Sequence, residues 1–126
     1  MKAVHVAGGE KMKQPGSRRA WGHQVWMANR ALTGSTLSLT RMIVAPGKCG
    51  EAHRHPNADE VIYLIKGKVS VDVGAETFSL DATDALAIPG GLPHQIHNPG
   101  TEDAELIVSY STGDREYAPE AAAKNA

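Results

Sequence analysis

Cysteine is almost missing from this chain: Cys49 is the one example in 126 residues, so no internal disulfide can form and a cytoplasmic setting is expected. No run approaches eighteen apolar residues, which excludes a helical membrane span, and the opening MKAVHVAGGEKMKQ lacks the apolar core of a secretory signal. Basic runs are absent as well. With a net charge of -1 and no positive patch, binding to nucleic acid or to an anionic membrane has no electrostatic support. Aromatic residues are few, whereas 13 Gly and 7 Pro punctuate the sequence at short intervals, a composition that suits short strands joined by turns. The length allows one domain with a real core and is too short for two. No internal repeat or low-complexity tract interrupts it.

Alternation supplies the elements. Ala3 to Ala7 reads as a short β-like piece within an N-terminal strand or arm spanning 1–16. Arg18 to Leu32 is ambiguous, because Trp21, His23, Val25 and Met27 alternate like a strand while Trp26 and Ala28 to Leu32 could coil; Trp21 and Trp26 are expected to pack on the core or its lid. In Ser35 to Val44, Leu37, Leu39, Arg41 and Ile43 share one face and Ser38, Thr40, Met42 and Val44 the other. Val61 to Ile65 is a continuous apolar run, expected as a strand packed on both faces. Lys66-Gly67 then turns it into Val69 to Val73, a pair that reads as a hairpin. Thr77 to Leu80, Ala85 to Ile88, a strand opening at His94, and Ala104 to Tyr110 follow, separated by turns. The pattern predicts an all-β sandwich or barrel over 17–111, with a C-terminal tail, 112–126, as a loose or packed-down appendage.

The stretch GKCGEAHRHPNADEVIYLIKG carries the chemistry. His53 and His55 stand two apart, so in an extended strand both side chains face the same way. Pro56, Asn57, Ala58 and Asp59 favour a turn, after which Glu60 can face back towards them. A later stretch, TDALAIPGGLPHQIHN, offers His94 at the start of another strand. Three neutral nitrogens and one carboxylate oxygen form a plausible set for one divalent transition metal, Mn, Fe, Co, Ni, Cu or Zn, with two octahedral positions to spare.

The first stretch resembles the first cupin motif, matched by Gly47, His53, His55, Glu60 and Gly67, and the second resembles the second cupin motif, matched by Pro89, Gly91, His94 and Asn98. Thr83 stands where that second motif usually has glycine, a departure that bears on turn geometry more than on metal binding. The resemblance implies an all-β double-stranded β-helix, or jelly roll, of the cupin type, and with it a strand over Gly22 to Met27. It also implies a homodimer, with the N-terminal piece a candidate for strand exchange.

Three imidazoles and one carboxylate would leave a divalent ion with a net positive charge, so a small anionic or chelating substrate is expected. Three functions follow: an enzyme that polarises a carbonyl or stabilises an enolate of a small oxygen-rich acid, sugar acid or enediol, as an isomerase, cyclase, lyase or decarboxylase would; an Fe(II)-dependent dioxygenase; and a non-catalytic metabolite-binding cupin. Glu60 and Arg41 are the catalytic candidates. Arg41 is the charged residue on an apolar-patterned strand face and could reach a substrate carboxylate, a strand-end salt bridge being the alternative. Cys49 is expected as a small half-buried residue rather than a ligand, Asn98 as a turn hydrogen-bonder, Tyr63 as packing, and His97 as pointing away from the metal. His5 and His23 lie outside both motifs and are expected to be ordinary surface or packing residues.

Overall fold

A computed structural model describes residues 2–120 of the chain. The strands, in order, are β1 (Arg18–Arg19), β2 (Gly22–Ala28), β3 (Ser38–Val44), β4 (His53–Arg54), β5 (Glu60–Lys66), β6 (Lys68–Val73), β7 (Glu76–Asp81), β8 (Ala85–Ile88), β9 (His94–His97), β10 (Ala104–Tyr110) and β11 (Ala118–Pro119), with short helices α1 (Gly8–Lys13) and α2 (Arg30–Thr33). They form one sheet ordered β1-β2-β3-β10-β5-β8 and a second ordered β11-β4-β9-β6-β7. Every named pairing is antiparallel. Two facing antiparallel sheets make the all-β jelly roll of the cupin type. No helix of the described residues is long and apolar enough to cross a membrane.

The core lies between the sheets, where Val44, Ile62, Leu64, Val71, Leu106 and Val108 are fully buried. Each such side chain contributes about 1.5–3 kcal/mol relative to exposure. Strands that look towards this core bury every second residue: Ser38, Thr40, Met42 and Val44 on β3, and Glu60, Ile62 and Leu64 on β5. The same alternation therefore carries Glu60 inward at the end of a strand that is otherwise apolar on that face.

Two pins hold turns between the strands. Asn98 is buried; its Nδ2 donates to the carbonyls of Val44 and Glu102, both at 2.8 Å, and its Oδ1 accepts from the Gly100 N–H at 2.9 Å. Thr83 takes φ +79°, the single non-glycine residue in the left-handed region among the described residues, and its N–H donates to the Leu64 carbonyl at 2.7 Å. The turn thus keeps the conformation a glycine would favour, with a β-branched residue bearing the strain.

Several expectations are corrected. Ala3 to Ala7 is not a strand, because β1 already occupies the edge of β2; the arm instead continues into α1, which packs on β2. Lys66-Gly67 is not a hairpin turn: β5 pairs with β10 and β8, β6 with β7 and β9, and the chain changes sheet at Gly67. Gly67 has φ +88°, and a Cβ there would lie 2.9 Å from the Asp103 carbonyl oxygen, so the corner requires glycine. Val61 to Ile65 is buried on one face only, since no further layer covers Val61, Tyr63 and Ile65, which are exposed. Of the two forms expected for the tail, the packed-down one is found up to Glu120, where β11 pairs with β4; 121–126 lie outside the described residues.

Candidate metal centre

His53 sits in β4, His55 just after it, and Glu60 and His94 open β5 and β9. β4 and β9 meet through one cross-strand pair, His53 with His94, which sets these imidazoles side by side. The turn after His55 brings Glu60 round as the sequence suggests. It is held by Asp59, whose carboxylate accepts from the Gly90 N–H at 2.8 Å, and by the Gly91 N–H, which donates to the His55 carbonyl at 2.9 Å. The Pro-Gly-Gly loop before His94 is thereby tied to the loop before Glu60.

One ligand atom from each of His53, His55, Glu60 and His94 lies within 4.8 Å of all the others. His53 Nε2 is 3.1 Å from His55 Nε2, and Glu60 Oε1 is 3.1 Å from Nε2 of both His55 and His94. The far nitrogens decide the chemistry. Nδ1 of His53, His55 and His94 lies 2.7, 2.9 and 2.9 Å from the backbone carbonyls of Glu51, Glu116 and Leu92. A carbonyl only accepts, so each Nδ1 carries a proton, and in its neutral form each ring would present a bare Nε2 lone pair inward. Three lone pairs and a carboxylate oxygen then face one point. Glu60 Oε1 and His94 Nε2 are buried with no hydrogen bond made, although they are 3.1 Å apart. Donors about 2.1 Å from an ion and at right angles would stand about 3.0 Å apart, so the set fits a transition metal.

The electrostatics agree with that fit. Burial alone would raise the Glu60 carboxyl, but the imidazoles of His55 and His94 outweigh it and hold the group at about 2. Burial pushes His53 down to about 4, which keeps it neutral. Burial also works against charging His94, yet the Glu60 carboxylate raises it above its ordinary value. That is the pull of a desolvated negative oxygen on any cation placed among these atoms.

Above the quartet opens a cavity of about 330 Å³ with His53 and Glu60 in its floor. Trp21, Met42, Ile96 and Tyr110 supply its apolar walls; Gln24, Glu51, Arg19 and Arg115 bring polar groups to it. Tyr110 is opposite Glu60 across the β10–β5 ladder, and burial pushes its phenol up, so it stays protonated.

Residues 112–120 cross the mouth as a strap. β11 pairs with β4, the Glu120 N–H donates to the Ala52 carbonyl at 2.9 Å, and the side chain of Asn57 grips the strap from the turn. Asn57 Oδ1 accepts from the Glu116 N–H at 2.7 Å and its Nδ2 donates to the Asp114 carbonyl at 2.9 Å. Tyr117 stacks on His53, centroids 4.7 Å apart, and donates its hydroxyl to Glu51 at 2.6 Å. Sequence reasoning missed Arg115 and Tyr117 because no spacing links the tail to the histidines; Tyr110 was discoverable, since it shares the parity of Leu106 and Val108.

Other candidates lie elsewhere. Arg41 does not reach the cavity: strand parity turns it outward, where its Nε donates to Glu105 at 2.7 Å, so the strand salt bridge is what forms. Cys49 is exposed rather than half-buried and stands outside the quartet. His97 bonds to Asp72 at 2.9 Å, away from the quartet, and His23 contacts Ser17 at 3.3 Å. Trp26 and Trp21 pack partly buried against the core.

Residues 40–110, more than half of the chain, match the family model for the cupin domain. The chain belongs to the cupin family. This cupin is similar to the polyketide synthase protein CurC of Streptomyces cyaneus, with 36% identity over 69 residues, 55% of this chain and 45% of that one. It is also similar to the tetracenomycin polyketide synthase protein TcmJ of Streptomyces glaucescens, with 32% identity over 100 residues, 79% of this chain and 63% of that one. The chain therefore spans only part of the length of these curated relatives. Among solved structures it resembles Bacillus subtilis oxalate decarboxylase, a protein with Mn(II) centres, at TM-score 0.76 and 25% identity, covering 81% of this cupin and 29% of that chain.

Proposed function

We propose that this cupin is a metal-dependent enzyme acting on a small oxygen-rich anionic acid, by isomerase, cyclase, lyase or decarboxylase chemistry. The observation that carries the reading is the convergence of three Nδ1-protonated imidazoles and Glu60 beneath a cavity wide enough for a substrate. His53, His55, Glu60 and His94 would hold the ion; once bound it would polarise a substrate carbonyl and stabilise an enolate. Glu51, Leu92 and Glu116 carbonyls orient the rings, and the strap with Tyr117 limits access of water. Manganese is the proposed ion, supported by the Mn(II) centres of the oxalate decarboxylase it resembles. That protein and the two polyketide synthase proteins support substrates rich in carboxylate or enolisable carbonyl oxygen. The lone exposed Cys49 supports a reducing, cytoplasmic setting. A homodimer joined through the outer face of β5 completes the proposal.

Metal analysis of protein purified without a nickel column tests this directly. About one ion per chain is expected, falling to below about a tenth in His94→Ala with the fold retained by circular dichroism. Full occupancy in the variant refutes the quartet. Oxygen uptake during turnover would replace the redox-neutral reading with the dioxygenase one.

A further inference from the structure

The strap holds a charge that no carboxylate pairs with among the described residues. The Arg115 guanidinium lies over the rings of Trp26, Tyr110 and Tyr117, at 4.8, 4.9 and 5.5 Å from their centroids. Its Nε is buried without a hydrogen-bond partner, and it forms no ion pair with a carboxylate among the described residues. Ring faces orient a cation without neutralising it, so a half-buried guanidinium of this kind is built to receive an anion. It lines the same cavity as His53 and Glu60, and its Nη1 reaches to 3.4 Å from His55 Nδ1, which places it beside the metal quartet. Trp21, Met42 and Ile96 give the cavity apolar walls, and about 330 Å³ is far more than a two-carbon acid fills.

We infer that the cavity takes a carboxylate borne on an aromatic or alicyclic ring, and that Arg115 selects it. The inference rests on the metal-centre reading: one carboxylate oxygen faces the quartet, the other accepts from Arg115, and the ring lies against Trp21, Met42 and Ile96. Arg115 belongs to a segment beyond Tyr110, where the match to the cupin domain ends, so this selectivity is a property of the strap and not of the shared barrel.

The test uses the manganese-loaded full chain, with salicylate as the chelating ring acid and salicylamide as its neutral analogue, both followed by calorimetric titration. Arg115→Gln is expected to weaken salicylate about tenfold or more while salicylamide changes less than about threefold and manganese content is unchanged; Arg115→Lys recovers part of the loss. Equal losses for both compounds would make Arg115 an anchor of the strap only and overturn the inference. So would unchanged salicylate binding, or a wild-type protein that holds manganese yet binds neither compound. A wild-type protein that takes up no metal fails at the earlier step, refuting the metal-centre reading and the inference together.

Discussion

At Thr83 the chain keeps a glycine's conformation without the glycine. A β-branched residue at φ +79° costs about 1–3 kcal/mol, part of which glycine would return as unfolded-chain entropy. Thr83→Gly should therefore stabilise the protein by about 1 kcal/mol, raising the thermal midpoint by roughly 4 °C, while Thr83→Ala leaves the strain in place and gains little. A scanning calorimetry series in which glycine is neutral or harmful would show that the turn is not strained. The histidines give a second residue-scale expectation, for protein stripped of metal by a chelator. His53 is held down to about 4 in the fold, so below the ordinary value of 6.5 the unfolded chain takes up a proton that the fold refuses. The contribution of the neutral ring is thus complete above 6.5 and lost as pH falls from 6.5 towards 4. His94, raised in the fold, behaves oppositely and loses its contribution as pH rises through its folded value, so it does not offset the acid loss. Urea midpoints should drop across that window by an amount on the order of 2 kcal/mol, and His53→Gln should flatten the slope. The convergence of His53, His55, Glu60 and His94 was legible in the sequence because strand parity and a turn fix their directions locally. Arg41 kept two readings, cavity or strand salt bridge, because parity says which residues share a face but not which face looks inward; the salt bridge with Glu105 is the one found.

Elements separate into those that local pattern specifies and those that only the assembled barrel does. β7, β8 and β10 match their expected ranges within a residue or two, and β3 keeps its expected end at Val44 but starts three residues later than expected, at Ser38, since a half-buried sheet enforces period two. The corner at Gly67 could not be told from a hairpin, because both need a left-handed glycine and the choice depends on which strands lie alongside. The strap was illegible for a related reason: its place comes from Asn57 and from the free edge of β4, more than fifty residues upstream. Asn57→Ala removes both side-chain contacts with the strap at once. It is expected to raise hydrogen exchange at 114–120 several-fold and to cost about 1–2 kcal/mol, with β5 and β9 unaffected. Exchange unchanged along the strap would mean that β11 pairing alone holds it.

On the scale of the whole molecule, the six-stranded sheet buries one face in the core and leaves the other unevenly covered. Near β2 that outer face is shielded by α1, whereas at β5 Val61, Tyr63 and Ile65 stand 45%, 42% and 41% exposed. Register makes them a patch and not scattered residues. Tyr63 lies between Ala85 on β8 and Ile107 on β10, and Val61 lies between Ala87 and Ser109. Single exposed apolar residues are ordinary, but a contiguous group on a flat sheet marks a face that gains from being covered. A second copy meeting it across a two-fold axis would set the same residues against each other, the self-complementary contact of a closed dimer. Light scattering at tens of micromolar should therefore give twice the chain mass. The pair Val61→Lys with Tyr63→Lys should give a monomer, because four desolvated ammonium groups would face one another across the axis. Metal content should be unchanged in that variant, since both side chains point away from Glu60 on alternate positions of the same strand. A wild-type protein that scatters as a single chain, or a lysine variant that stays dimeric, would remove this face from the assembly.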